Sequence, residues 1–203
     1  MKISFDSVLH SLDEIKESFY LNEIFSDYIN QRENVATTLQ SLFFYGDLVK
    51  AIRSNDNPNN KTILASLCRT ITIMSYSVIE AYVIATGGKI QSKCKECKHK
   101  CKNYLIFAKH NMFLSKSHAD VFYKADGFLK EVELLTFGDK KVEKIYRHFR
   151  ESRNNVHLAK NAEIIYKDPD YMPEYTGIFL GFVEVFINEI YKGYKHLLSC
   201  YKC

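Results

Sequence analysis

The sequence predicts an all-α protein, a helical bundle of about six or seven helices with a Cys-rich loop. Apolar residues recur at threes and fours along most of the chain, the period of an amphipathic helix. Only 8 glycines and 3 prolines occur in 203 residues. A chain this poor in turn-formers has few places for the tight reversals that hairpins need. Apolar residues make up 46% of the chain, enough for a folded core, and the length fits a single domain spanning residues 1–203.

Taken in order, residues 5 to about 30 carry Val8, Leu9, Leu12, Ile15, Phe19, Leu21, Ile24, Phe25 and Ile29 at helical spacing, with Asp6 or Ser7 placed to cap the segment. A second helix is expected from about residue 33 to 53, through Val35, Leu39, Leu42, Phe43, Leu48 and Ile52, with SNDNPNN at 54–60 ending it. Residues 1–60 thus read as an N-terminal helical hairpin, and 61–203 as the core. Thr62 opens a buried helix that should stop at the Gly87-Gly88 pair. The next stretch, KIQSKCKECKHKCK at 89–102, has no apolar period and reads as a surface loop or a small metal-bound insertion. Helical spacing resumes at 104–113, at 118 to about 135 and at 142 to about 160. The final segment, 175 to about 198, carries Ile178, Phe179, Phe182, Val185, Phe186, Ile190 and Leu197, a long helix that closes the bundle.

The net charge is +4 and the lysines are spread along the chain, which permits a phosphate-rich partner without demanding one. The N-terminus carries acidic residues from Asp6 onward and no apolar core segment, so it is not read as a secretory signal, and the expected location is the cytoplasm. The most apolar run, residues 71–86, is about sixteen residues long with Glu80 inside it. That is short of the roughly twenty needed to cross a bilayer, so a core helix is expected and no membrane partner.

The stretch RHFRESRNNVHLAK at 147–160 is the densest in chemistry. On a helix, Ile145, Phe149, Val156 and Ala159 share one side, while Glu143, Arg147, Arg150, Asn154 and His157 fall within about 40 degrees of one another on a different side. A guanidinium and an imidazole along one edge suit phosphodiester chemistry, the first binding phosphate and the second moving a proton near neutral pH. The plainer alternative is a solvated polar helix face.

RESRNNVH, Arg150 to His157, resembles the signature of the HEPN superfamily (higher eukaryote and prokaryote nucleotide-binding domains), in which an arginine precedes a histidine by four to six residues. Arg150 stands six residues before His157, counting those between. Arg153-Asn154 copies the family's common Arg-Asn pair but leaves three residues before His157, so Arg150 takes the arginine position and Arg153 is a second candidate. SYSVIEAYV, at 75–83, is similar to the family's long core helix, with Glu80 at its acidic position. The physical reading of Glu80 agrees in one respect: a lone carboxylate in so apolar a helix is costly to bury unpaired, and an arginine on a neighbouring helix is its natural partner.

The resemblance implies a HEPN-like helical bundle and a metal-independent endoribonuclease, a toxin or antiviral-defence effector, with its site formed where two copies meet. His157 would move protons at the ribose 2′-hydroxyl and leaving oxygen, Arg150 would hold the scissile phosphate, and Asn154 would orient one of them. RNA, a second copy of the chain and a regulatory or antitoxin protein are the partners implied, with no cofactor for catalysis. The alternative function is a non-catalytic module of the same fold that binds nucleotide, RNA or a protein. An assembly domain with a structural polar stripe is a third option.

Six cysteines occur, better considered as thiols or metal ligands than as disulfides in a reducing compartment. Cys94 and Cys97, together with Cys200 and Cys203, form two separated CxxC pairs that can supply four thiolates to a structural zinc ion. An internal set of Cys94, Cys97 and Cys101 with His99 or His110 is the rival, and free reduced thiols are the plainer reading. Cys68 reads as core.

Overall fold

The computed structural model describes residues 11–54, 60–97, 102–135, 143, 146–147 and 173–200, and side chains of the last helix from 181 to 198. Within them the fold is all-α, as the spacing predicts, with seven α-helices and no strand among the described residues. The helices are α1 (Leu12–Ser18), α2 (Leu21–Ile24), α3 (Ile29–Arg53), α4 (Asn60–Cys97), α5 (Tyr104–Lys109), α6 (His118–Glu131) and α7 (Pro173–Cys200); a 3-10 turn, Met112–Leu114, joins α5 to α6.

The long helix predicted for residues 5–30 is broken. Its described part becomes α1 and α2, separated at Tyr20, which takes a left-handed backbone with φ 56°. Three contacts hold the break. Tyr20 stacks on Tyr191 of α7 at 3.7 Å between ring centres. The Tyr82 hydroxyl donates to the Phe19 carbonyl at 2.5 Å, and Lys89 donates to the Glu23 carbonyl at 2.6 Å. Carbonyls left over at a helix end are thereby satisfied from α4. Ser11 caps α1 reciprocally with Glu14, the two bonds being 3.2 and 2.7 Å. The caps proposed at Asp6 and Ser7 lie outside the described residues.

Helix α4 is the axis of the bundle, with α3, α6 and α7 packed against it. At 38 residues it runs about 57 Å by the helical rise. By length and composition alone it could cross a membrane. Its place at the centre of the bundle and its buried Thr72, Ser75, Glu80 and Gln91 are those of a core helix.

The predicted stop at Gly87-Gly88 does not occur, and α4 continues to Cys97. Neither glycine has a positive φ; Gly87 serves instead as a point where α6 comes close. A Cβ added there would lie 3.0 Å from the Ala125 Cβ and 3.3 Å from its Cα. The stretch 89–97, expected as a loop, is helical for the same reason that its pattern was missed: Ile90, Gln91, Cys94 and Cys97 are buried at helical spacing, but an amide and two thiols do not register as apolar.

Helix α7 turns Phe182, Val183, Phe186, Ile187, Ile190 and Tyr194 into the core. Full burial of such a side chain contributes about 1.5–3 kcal/mol. Val185, counted in the predicted apolar stripe, is exposed instead, and Val183 takes the inward place.

Where α2 meets α7, the Glu23 carboxylate accepts from the Tyr191 hydroxyl and pairs with Lys195, both at 2.5 Å. Lys195 and then Tyr191 hold its pKa below the ordinary value. A carboxylate depressed by folding contributes stability above its unfolded pKa and loses that contribution as pH falls through the folded one. Urea unfolding below pH 4.5, the ordinary value for this group, should therefore show a smaller acid-induced loss in Glu23→Gln than in the parent; the effect is modest because the side chain is 47% exposed. Gly87→Val should cost about 1–3 kcal/mol in the same measurement at neutral pH, because the added methyls collide with α6.

Candidate functional site

The carboxylate predicted to matter, Glu80, sits near the middle of α4 and is 6% exposed. Helical spacing sets Ser77 and Ala81 beside it and Ile84 one turn on, and all four line a cavity of about 270 Å3. The opposite wall is α3, whose Gln31, Asn34, Val35 and Thr38 recur at threes and fours. His118, the first residue of α6, completes the rim. Ser117 caps that helix by accepting from the Asp120 amide at 3.2 Å, which fixes where His118 begins.

His118 Nδ1 lies 3.7 Å from Glu80 Oε1, with the imidazole side chain 67% exposed and the glutamate side chain 8% exposed. This separation is beyond a hydrogen bond and within reach of an ion pair when the ring is protonated. Among the described residues, His118 lies beside Glu80; Arg150 and Arg153, the candidate arginines, lie outside them. No periodicity signal marks His118; the Ser117 cap was the cue available.

The other proposed catalytic residues, Arg150, Arg153, Asn154 and His157, lie outside the described residues. The segment leading to them is described at three positions. Arg147 pairs with Glu143 at 2.5 Å, one helical turn apart, consistent with the shared polar face that the spacing predicts. Tyr146 is buried, stacks on Phe186 of α7 at 5.6 Å, and donates its hydroxyl to Asp126 of α6 at 2.7 Å. Asp126, 5% exposed, also accepts from Lys130 at 2.8 Å. This buried carboxylate was not singled out from sequence, because one aspartate in an amphipathic helix carries no pattern of its own.

The cysteines divide. Cys68 and Cys94 are buried thiols, and Cys97 is disulfide-bonded. The expectation of reduced thiols therefore does not describe Cys97. Cys94 and Cys97 do not sit on a surface loop either; both face inward from α4. Cys101, His99 and Cys203 lie outside the described residues, and of Cys200 only the backbone is described. His110, the alternative ligand, is engaged elsewhere: its Nε2 meets Glu131 Oε1 at 2.8 Å and its ring packs where a Cβ on Gly127 would fall, 2.8 Å away. Among the described residues no three His, Cys, Asp or Glu side chains are grouped to hold a metal.

No protein-family model, curated protein or solved structure matches this chain.

Any reading of its function therefore comes from the residues themselves. What they bring together is a buried carboxylate, a rim imidazole and a cavity walled by hydroxyl and amide side chains. The tie that anchors the 146–147 turn to the core can be tested apart from activity. Tyr146→Phe leaves Asp126 short of one donor and should lower unfolding free energy by about 1–3 kcal/mol in urea titration.

Proposed function

We propose that the protein is a metal-independent endoribonuclease of the HEPN type that acts as a homodimer, in the role of a toxin or antiviral-defence effector. The observation that carries this reading is Glu80. The resemblance expects an acidic residue within the long central helix, and Glu80 is a buried carboxylate on the helix around which the bundle is built. The Arg150–His157 motif supplies the rest.

In this reading His157 takes the proton from the ribose 2′-hydroxyl as the oxygen attacks phosphorus. The new bond forms a 2′,3′-cyclic phosphate, and the bond to the 5′-oxygen breaks. The leaving oxygen receives a proton from the second histidine of the paired site. Arg150, with Arg153 as the second candidate, neutralises the phosphate as charge builds in the transition state, and Asn154 orients it. The nucleophile belongs to the RNA, so DNA is not a substrate.

Purified protein should cleave RNA in EDTA, leave DNA intact and sediment as a dimer. His157→Ala should lower the rate by about 10²–10⁴ with little change in thermal unfolding, since a positioned acid or base contributes that much. Equal rates for parent and variant would remove the enzyme reading and leave a non-catalytic module that binds nucleotide, RNA or protein, the alternative favoured by the cavity beside Glu80.

A further inference from the structure

The connection from α4 to α6 turns several apolar side chains outward. Phe113 and Leu114 stand side by side on the 3-10 turn, Leu114 73% exposed, and Leu105 on α5 is 82% exposed. The turn is held from beneath, where the Gln91 side chain binds the main chain at His110 and Met112. Met112 and Tyr28 both reach over Gly88, 3.7 and 3.6 Å from where its Cβ would stand. Ile29, which follows Tyr28 at the start of α3, is exposed as well.

Cations flank this surface. Lys95 lies 5.6 Å from the centre of the Phe113 ring. Lys116 follows Leu114 by two residues, Lys102 precedes Leu105 by three, and all three lysines are exposed. Among the described residues no carboxylate pairs with them, because the neighbouring carboxylates have lysines of their own. Asp27 faces Lys89 at 3.8 Å, Glu96 meets Lys93 at 3.0 Å and Asp120 meets Lys124 at 3.1 Å.

The anchors of a protein partner are received in well-packed recesses, whereas side chains standing this far out suit a fluid that closes around them. Apolar tips flanked by such lysines match a bilayer with anionic head groups. The tips enter the boundary of the acyl region, and the ammonium groups meet lipid phosphates. We propose that the α5–α6 bend docks the protein on the surface of an anionic lipid bilayer, with Phe113 and Leu114 inserted and Lys95 and Lys116 on the head groups. The contact is made by the bend, and α4 stays in the core. The proposal does not depend on the nuclease reading.

The chain contains no tryptophan, so Leu114→Trp places a single fluorescent reporter at the tip. Ile63→Trp, at an exposed position near the opposite end of α4, is the control. Vesicles of equal parts phosphatidylcholine and phosphatidylglycerol should sediment with the protein and shift the Leu114→Trp emission to the blue, leaving Ile63→Trp unshifted. Pure phosphatidylcholine vesicles should do neither. Phe113→Ser/Leu114→Ser should lower partitioning about tenfold or more, through lost apolar insertion. Lys95→Gln/Lys116→Gln should do the same, since each lysine near an anionic surface contributes about fivefold. Circular dichroism checks that the variants keep the parent's helix content, and the emission pair decides the matter if either does not. No sedimentation with the anionic vesicles, equal binding to neutral ones, an unshifted Leu114→Trp emission, or partitioning unchanged in a folded double variant would overturn the proposal. So would a single-stranded RNA oligonucleotide that binds through these lysines while vesicles do not, which would assign the bend to nucleic acid. Cleavage of RNA is read separately, so its failure leaves this result intact.

Discussion

A central helix with neighbours on three sides has little surface on which to put polar groups cheaply, and α4 nevertheless carries Thr72, Ser75, Glu80, Thr86 and Gln91 at buried positions. Burying an amide or hydroxyl without a partner costs on the order of 1–3 kcal/mol, and a carboxylate more. Thr72 and Gln91 meet that demand with hydrogen bonds, while among the described residues the Ser75 and Thr86 hydroxyls find none. Thr72 returns its hydroxyl to the Cys68 carbonyl at 2.9 Å, which keeps the cost within the helix. Gln91 reaches outward, donating to the His110 carbonyl at 2.9 Å and accepting from the Met112 amide at 3.0 Å. Glu80 opens onto the cavity rather than onto the apolar interior.

The same logic explains the N-terminal elements. Helices as short as α1 and α2 are too short to hold themselves together in water. They are held by α4 and α7 through Tyr82, Lys89, Tyr191 and Lys195, each reaching a carbonyl, a carboxylate or a ring on the short segments. Burial pushes the Tyr82 phenol well above its ordinary range, so it remains a hydrogen-bond donor at any physiological pH. Apolar packing sets the helices side by side, and these polar ties set their register along one another.

Much of the fold was legible in the sequence because helical spacing is a strong signal over long runs. The course of α7 and the burial of most of residues 71–86 follow from it directly. Where the reading failed, tertiary contact overrode local preference. Gly87 and Gly88 looked like a terminus because glycine is costly inside a helix, yet the close approach of Ala125 needs a residue without a side chain there. The helical turn at 89–97 was hidden by residues whose burial depends on particular partners, Gln91 above all. Of the candidate site, Glu80 was found from its oddness in an apolar run, and His118 was not, because its proximity arises from the angle at which α6 meets α4.

Gln91 grips the α5–α6 connection through main-chain atoms only, at His110 and Met112. Such a joint is indifferent to what side chains the connection carries. Residues on the outer surface of that bend, such as Phe113 and Leu114, which stand 45% and 73% exposed, can be exchanged for others while the path of the chain stays fixed. The bend is therefore a place where the surface can diversify without disturbing the scaffold beneath, provided the amide that fastens it is kept.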